Sequence, residues 1–418
     1  MRPEKRRWLI IIVAFVAIVF NYIDRQIVSV LKPILKTEFS LDDGGYAIII
    51  NIFTVCYAVM YPITGWMVDK FGVKRIFFYG VITWSLACIG GGLSRSVAQF
   101  GFFRGMLGLA EPTNFPSSIK AATMWFPGRL RATANSLCQA GGSIGAIVAP
   151  PAIAWLTLQY GWQSAFIVMG SAGLIIAIVW KIVYTDPPSE ILKEVSEEDT
   201  ASNKKSVSFT WSQLWKTRSL WGVLLIRFVS DPVWYFCLFW LPGYLQEESG
   251  LSLAQVGMFG WIPFVAADLG AVGISMISDR MVHKGHQPLR ARKRILSFIT
   301  CLVPLCILAP YLPNAVSTLI IFSIIAAICL SWLFTISVVV GEAFPIGNVA
   351  SVIGIAGGCG ALGAVIFNTF VGSLMGTVGA EKIFLVMALL HPIALALLWL
   401  MVKKETPGKA KETVNIIN

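Results

Sequence analysis

Apolar stretches of 18 to 29 residues alternate with short polar loops along almost the whole chain. A helix rises 1.5 Å per residue, so about 20 apolar residues cross a hydrocarbon core of about 30 Å. Twelve stretches meet that length: Trp8–Leu31, Gly45–Val68, Ile76–Leu93, Ala98–Met124, Ala132–Leu158, Ala165–Tyr184, Leu220–Leu245, Leu253–Ile277, Ile295–Leu312, Val316–Val340, Val349–Thr377 and Ile383–Val402. The alternating ten-residue strands of a membrane barrel are not visible. The first stretch is too long for a signal peptide and lacks a small-residue cleavage site. The pattern predicts an all-α integral membrane protein of 12 transmembrane helices.

The longest hydrophilic segment, 186–218, divides six spans from six. It predicts an N-terminal six-helix bundle (1–185), a cytoplasmic linker (186–218), a C-terminal six-helix bundle (219–402) and a cytoplasmic tail (403–418). Three motifs recur across it in the same order. Gly65-x-x-x-Asp69-Lys70-x-Gly72 returns as Ser275-x-x-x-Asp279-Arg280, 210 residues on. Trp125-Phe126-Pro127 returns as Ala343-Phe344-Pro345 after 218, and the glycine-rich run at Ala140 returns at Ala356 after 216. Such a repeat predicts two pseudo-symmetric halves, the architecture of rocking transporters with substrate held near the midplane.

Composition narrows the class. The chain is 56% hydrophobic and 13% charged, with mean hydropathy +0.73. Soluble domains carry about 25% charged residues. A soluble protein and a disordered one are both excluded. The net charge of +11 raises nucleic acid as a partner. The positions of the charges argue against it. Of 33 Lys and Arg, 25 fall on one side of the predicted membrane. Lys32, Lys36, Arg95 and Lys382 fall on the other, and Arg25, Arg104, Lys120 and Arg227 lie within spans. The positive-inside rule then places both termini in the cytoplasm. The eight cysteines all lie within or at the ends of apolar spans and read as small packing residues. No Asn-X-Ser/Thr sequon occurs, which fits a bacterial inner membrane.

The Gly65–Arg75 block reads mechanically. Gly65 would let helices approach closely, Asp69 would end the helix, Gly72 would permit a tight turn, and Lys74 and Arg75 would hold the loop in the cytoplasm. The second copy carries Asp279, and Glu342 ends the tenth span as a gate or cap.

A charge near the bilayer centre costs about 2.5–3.5 kcal/mol on insertion scales, so intramembrane charges are functional candidates. The first span carries Asn21-Tyr22-Ile23-Asp24-Arg25, and the fourth carries Arg104, Glu111 and Asn114. Residues seven apart share a helix face, so Arg104 and Glu111 do. Counted at 1.5 Å per residue, Asp24, Arg25 and Arg104 come out level, roughly 8–9 Å below the outer edge, with Glu111 deeper. Burial favours a protonated carboxylate, whereas a neighbouring Arg favours the ionised form. An anion that occupies the Arg therefore couples to a proton on the acid. A purely structural ion-pair cluster is the competing reading.

The seventh span carries Arg227 and Asp231, four apart on one face. Pro232 would break that helix at mid-depth. Trp234, Tyr235, Tyr22 and Tyr57 offer rings and hydroxyls to a polyol. Asp268 is a further acid within a span. Local pairing alone would account for Arg227 and Asp231. Lys120 reads as snorkelling towards the cytoplasmic end, and His391 as packing.

At these residues the chain resembles the anion:cation symporter branch of the major facilitator superfamily. Asn21–Arg25, Arg104 with Glu111, and the Gly65–Arg75 loop carry the resemblance. Asn114-Phe-Pro-Ser-Ser-Ile-Lys120 and Asp231-Pro-Val-Trp-Tyr-Phe are similar to bacterial hexuronate transporters in particular. The resemblance implies proton-coupled uptake of a sugar acid by alternating access. It places Arg25 and Arg104 at substrate-anion positions, Asp24 and Glu111 at proton-coupling positions, and Tyr57 facing substrate. Asn114, Tyr22, Trp234, Tyr235 and Arg227 complete the substrate set, with Asp231, Asp268 and Lys120 as secondary candidates. It further implies that Asp69 locks the halves together in the outward-open state.

One departure stands out. Hexuronate transporters often carry His-Gln in the tenth span, where this chain has Cys329-Leu330. Another carboxylated sugar, such as galactonate or glucarate, is the main competitor as substrate. A proton-driven exporter fits less well, because the fifth span reads Gly145-Ala-Ile-Val-Ala-Pro150-Pro151 and lacks the exporters' Gly-Pro signature. No metal cluster, nucleotide loop or nucleophile–base constellation appears, so the chain is not expected to be an enzyme. The expected partners are a small organic anion, protons and the bilayer, with no nucleic acid and no cofactor beyond the proton gradient. The working form is expected to be a monomer.

Overall fold

The computed structural model describes residues 3–193, 195, 209–312, 314–375 and 379–404. Residues 194 and 196–208 of the linker and the tail beyond 404 lie outside them. Among the described residues the regular structure is entirely helical. Eleven helices are long and apolar enough to cross a membrane. The twelfth expected span, the fourth, is not continuous. It runs as a helix over Val97–Ala110, a 3-10 turn over Glu111–Thr113 and a second helix over Asn114–Trp125. Pro112 has no N–H to continue the α-helical ladder. The freed ends are satisfied locally, because the Thr113 hydroxyl donates to the Ala110 carbonyl and the Thr64 hydroxyl reaches the Pro112 carbonyl.

The chain forms two compact units: Met1–Lys204 with Leu241–Trp261, and Lys205–Trp240 with Ile262–Asn418. In the first unit the first span packs on the fifth, the second on the fourth and the third on the sixth. In the second unit the seventh packs on the eleventh, the eighth on the tenth and the ninth on the twelfth. The pairing is the same in each.

The repeat extends to individual backbone angles. Ser96 and Asn314, 218 apart, cap the fourth and tenth spans in extended conformation with side-chain oxygens that accept from Gln99 and Ser317 amides. Each such cap contributes about 1 kcal/mol. Gly161 and Gly379, again 218 apart, share φ of 85°, a region that disfavours side chains. Phe126 and Phe344 are both extended ahead of a proline that starts the next helix.

Packing glycines correct the third sequence match. Gly142 and Gly145 of the fifth span lie against Tyr22 and the Val19 carbonyl. Gly360 and Gly363 of the eleventh lie against Asp231 and the Phe228 carbonyl. The structural offset is therefore 218, and the match at 216 is slipped by two residues. Small side chains let backbones approach, which is how apolar helices associate in lipid.

Three further expectations are corrected. Pro232 does not break the seventh span: the helix runs through it from Arg218 to Phe239. Pro232 has no N–H for the Phe228 carbonyl, and that carbonyl sits against Gly363, where no side chain intrudes. The helix is interrupted instead at Trp240, and its continuation Leu241–Glu247 belongs to the first unit. Gly65 is not a close-approach residue in this structure, because a Cβ there would meet nothing within 4 Å. Asp69 also does not end its helix, which continues to Phe71 and stops at Gly72, with φ of 86°.

Candidate functional site

The first unit gathers the charges of the first and fourth spans. Arg25 Nε donates to Glu111 Oε2 at 2.7 Å. The Glu111 side chain is fully buried and that of Arg25 is 14% exposed. The α-helical ladder still reaches Glu111, whose N–H bonds to the Leu107 carbonyl, and Pro112 diverts the chain just after it. Aromatic rings hold the guanidinium. Arg25 lies over Tyr57 at 4.5 Å, Tyr22 at 5.2 Å and Phe53 at 5.8 Å from the ring centroids. Such contacts are worth about 2 kcal/mol or more when desolvated.

Arg104 is buried and lies 4.7 Å over the opposite partner of Arg25, the Phe53 ring. Its Nε and Nη2 have no hydrogen-bond acceptor. The expected Arg104–Glu111 face is thus divided: Glu111 serves Arg25, and two Arg104 donors are left over. Asp24 is fully buried and accepts from the Cys88 thiol at 3.5 Å. Asn114 is buried and accepts from Ser118 at 3.3 Å, with its Nδ2 unbonded. Asn21 is fully buried.

In the second unit Arg227 Nε donates to Asp231 Oδ2 at 2.8 Å, and Ser230 donates to Oδ1 at 3.4 Å. Gly360 leaves room for that carboxylate. Trp234 stands edge-on to Phe264 at 6.3 Å, and Tyr235 lies near Phe239. Asp268 is half-buried on the eighth span. His391 is buried edge-on to Trp332.

The loop motifs find partners within their own units. Lys120 Nζ reaches Asp69 Oδ1 at 2.6 Å and the Val68 carbonyl at 3.3 Å. Its partner is therefore the Gly65–Arg75 block, and not the site around Glu111. In the second unit Arg292 reaches both Asp279 at 2.6 Å and Glu342 at 3.2 Å. Gly72 and Arg75 are exposed beyond the second span.

The sequence reading missed several residues. Phe53, under both arginines, was visible only as an aromatic four residues before Tyr57. Cys88 was grouped with the packing cysteines. Lys32 and Lys36 were read as loop cations. Lys32 is in fact fully buried and joins Asp43 at 2.8 Å and Glu247 at 2.5 Å. Lys36 joins the same two acids at 3.0 and 3.1 Å. Burial alone would lower the Lys36 pKa, but the hydrogen bond to Asp43 and the charge of Glu247 outweigh it and raise it. The i,i+4 spacing of the two lysines was the available signal. A cavity of about 500 Å³ beside Pro151, Trp155 and Trp261 has an apolar wall, and none of these charged side chains lines it.

A model of the Major Facilitator Superfamily matches residues 14–296, and the chain belongs to that superfamily. It is a multi-pass membrane transporter and not an enzyme. The galacturonate transporter of Dickeya chrysanthemi is 31% identical over 276 residues, 64% of this chain and 79% of that protein. The hexuronate transporter of Escherichia coli (strain K12) is 28% identical over 432 residues, 98% of this chain and 97% of that protein. A bacterial homolog of the human lysosomal transporter Spinster, solved inward-facing and occupied, shares the fold with TM-score 0.77 at 18% identity over 94% of this chain and 96% of its own.

Proposed function

We propose that the protein takes up a sugar acid, a hexuronate such as galacturonate or glucuronate, together with protons by alternating access. The halves 1–185 and 219–402 would move about the linker 186–218. In this reading the protein works as a monomer in the bacterial inner membrane, with both termini cytoplasmic and the proton gradient as its only drive. The named relatives transport galacturonate and hexuronate, which supports the substrate class. A galactonate or glucarate is the second reading, favoured by the apolar Cys329-Leu330 in the tenth span.

The observation that carries the proposal is the uneven use of two buried guanidiniums. Arg25 gives Nε to Glu111 and has only Nη2 unbonded, whereas among the described residues neither Nε nor Nη2 of Arg104 has an acceptor. A buried cation needs an anion beside it. A substrate carboxylate supplies one, and two N–H donors suit its two oxygens. Protonation of Glu111 weakens its bond to Arg25 and opens a second anion position. Deprotonation on the cytoplasmic side restores the bond and expels the substrate. Tyr22, Tyr57 and Asn114 would meet the sugar hydroxyls from the first unit, and Trp234, Tyr235 and Arg227 from the second. Asp231 and Asp268 are further proton sites in this reading. Asp69 with Lys120, and Asp279 and Glu342 each with Arg292, serve as gating contacts around the hinge glycines Gly65 and Gly72 and the loop cation Arg75.

The test is uptake of labelled galacturonate into liposomes under an inward proton gradient. The wild type is expected to accumulate it, and Arg104→Ala to lose at least 100-fold, about 2.7 kcal/mol. Normal proton-driven uptake by Arg104→Ala of every sugar acid tried would overturn the assignment.

A further inference from the structure

Asp24 has a partner that the mechanism above does not use. Cys88 of the third span is 4% exposed, and its sulfur lies 3.5 Å from Asp24 Oδ1 and 3.3 Å from the Phe166 carbonyl of the sixth. A thiol carries one proton and donates one weak hydrogen bond. Two acceptors are therefore within reach of a single donor, and only one can be served at a time. The other carboxylate oxygen, Oδ2, has no partner. Asp24, Cys88, Arg104 and Phe166 line a cavity of about 10 Å³, the volume at which one water first fits. Arg104 brings to it a guanidinium with Nε and Nη2 unbonded. The groups that act electrostatically on Asp24 are Glu111 and Arg104 of the fourth span, Cys88 of the third and Arg25 of its own helix.

We infer that Cys88 is a positioning residue for proton coupling, whose thiol donates to ionised Asp24 and turns to the Phe166 carbonyl when Asp24 takes a proton. An ionised carboxylate is the stronger acceptor, so the thiol serves it first. Once Asp24 is neutral, the backbone carbonyl becomes the better acceptor and the Oδ1 bond is released. The third and sixth spans thereby register the protonation of the first. The inference rests on Asp24 being a proton site.

The experiment compares the pH profile of galacturonate uptake in liposomes for wild type, Cys88→Ala, Cys88→Ser and Asp24→Asn. Loss of the donor removes a stabiliser of the ionised carboxylate. Cys88→Ala should therefore move the half-maximal pH upward by about half a unit to one unit. Cys88→Ser keeps a hydroxyl donor and should restore the wild-type profile. Asp24→Asn should flatten it. A Cys88→Ala profile that superimposes on wild type, with Asp24→Asn flattened, overturns the role of the thiol alone. An Asp24→Asn profile that keeps its full pH dependence overturns the proton-site reading beneath it.

Infrared difference spectra of the wild-type protein, acid minus alkaline, supply a readout that needs no variant to transport. The S–H stretch should shift with pH in wild type and stay fixed in Asp24→Asn. An S–H band that does not respond to pH in wild type also overturns the inference.

Discussion

The fourth and tenth spans are the same element built twice and loaded differently. Val97–Trp125 and Ala315–Ala343 start and stop 218 residues apart, with matching caps. The tenth is one unbroken helix of 29 residues. The fourth is split at Glu111–Thr113. Counted at 218, Arg104 corresponds to Phe322, Glu111 to Cys329, Pro112 to Leu330 and Asn114 to Trp332. Every polar group of the fourth-span site has an apolar or weakly polar counterpart that packs in the second unit. Phe322 stacks near Phe236, and Trp332 donates to Thr300 at 3.1 Å. The tenth span therefore shows what this helix looks like without the charges that the fourth carries.

The largest expected difference lies at Glu111 and Cys329. Glu111→Ala leaves Arg25 buried without its anion and should destabilise the protein by about 3–5 kcal/mol. Cys329→Ala removes a small apolar group and should cost about 1 kcal/mol. Thermal unfolding in detergent compares them, and equal losses would mean that the two positions are energetically alike.

The next difference is backbone. Leu330→Pro, placed in the unbroken helix, should cost about 3 kcal/mol. Pro112→Leu should leave unfolding temperature unchanged or higher, because it restores a ladder N–H, while uptake falls tenfold or more as Asn114 and the helix beyond it rotate relative to Glu111. If Pro112→Leu transports normally, the split is incidental to the site.

The smallest difference lies at the loops. Lys120 and Asp69 are exposed enough for solvent to screen them, so Lys120→Ala should change stability by about 0–1 kcal/mol. Arg292 bridges two acids from a more buried position, and Arg292→Ala should cost more than Lys120→Ala by the same measurement.

Much of this was legible in the chain. Span length and loop charge revealed the class, because a bilayer admits few backbone solutions. Arg25, Arg104, Asp24 and Glu111 stood out because charge is rare where lipid is the solvent. Their partners were not legible. An ideal helix put Arg104 and Glu111 on one face, and the helix is regular through Glu111, but the carboxylate pairs across to Arg25 of the first span. The same rule overstated Pro232, since a proline is tolerated where a facing glycine leaves room for the freed carbonyl. Cys88 and Phe53 carry no local signal, because their roles exist only where a third helix or a second ring meets them.

The sequence by itself determined the number of membrane-crossing stretches, the internal repeat and the short inventory of buried charge. These follow from length, periodicity and the cost of charge in hydrocarbon, which depend on composition along one dimension. Only the tertiary structure decided which cation each acid serves, which guanidinium is left without a carboxylate and which acceptors compete for one thiol proton. Those choices are made across helices far apart in sequence, at distances of about 3 Å, where a hydrogen bond forms or fails.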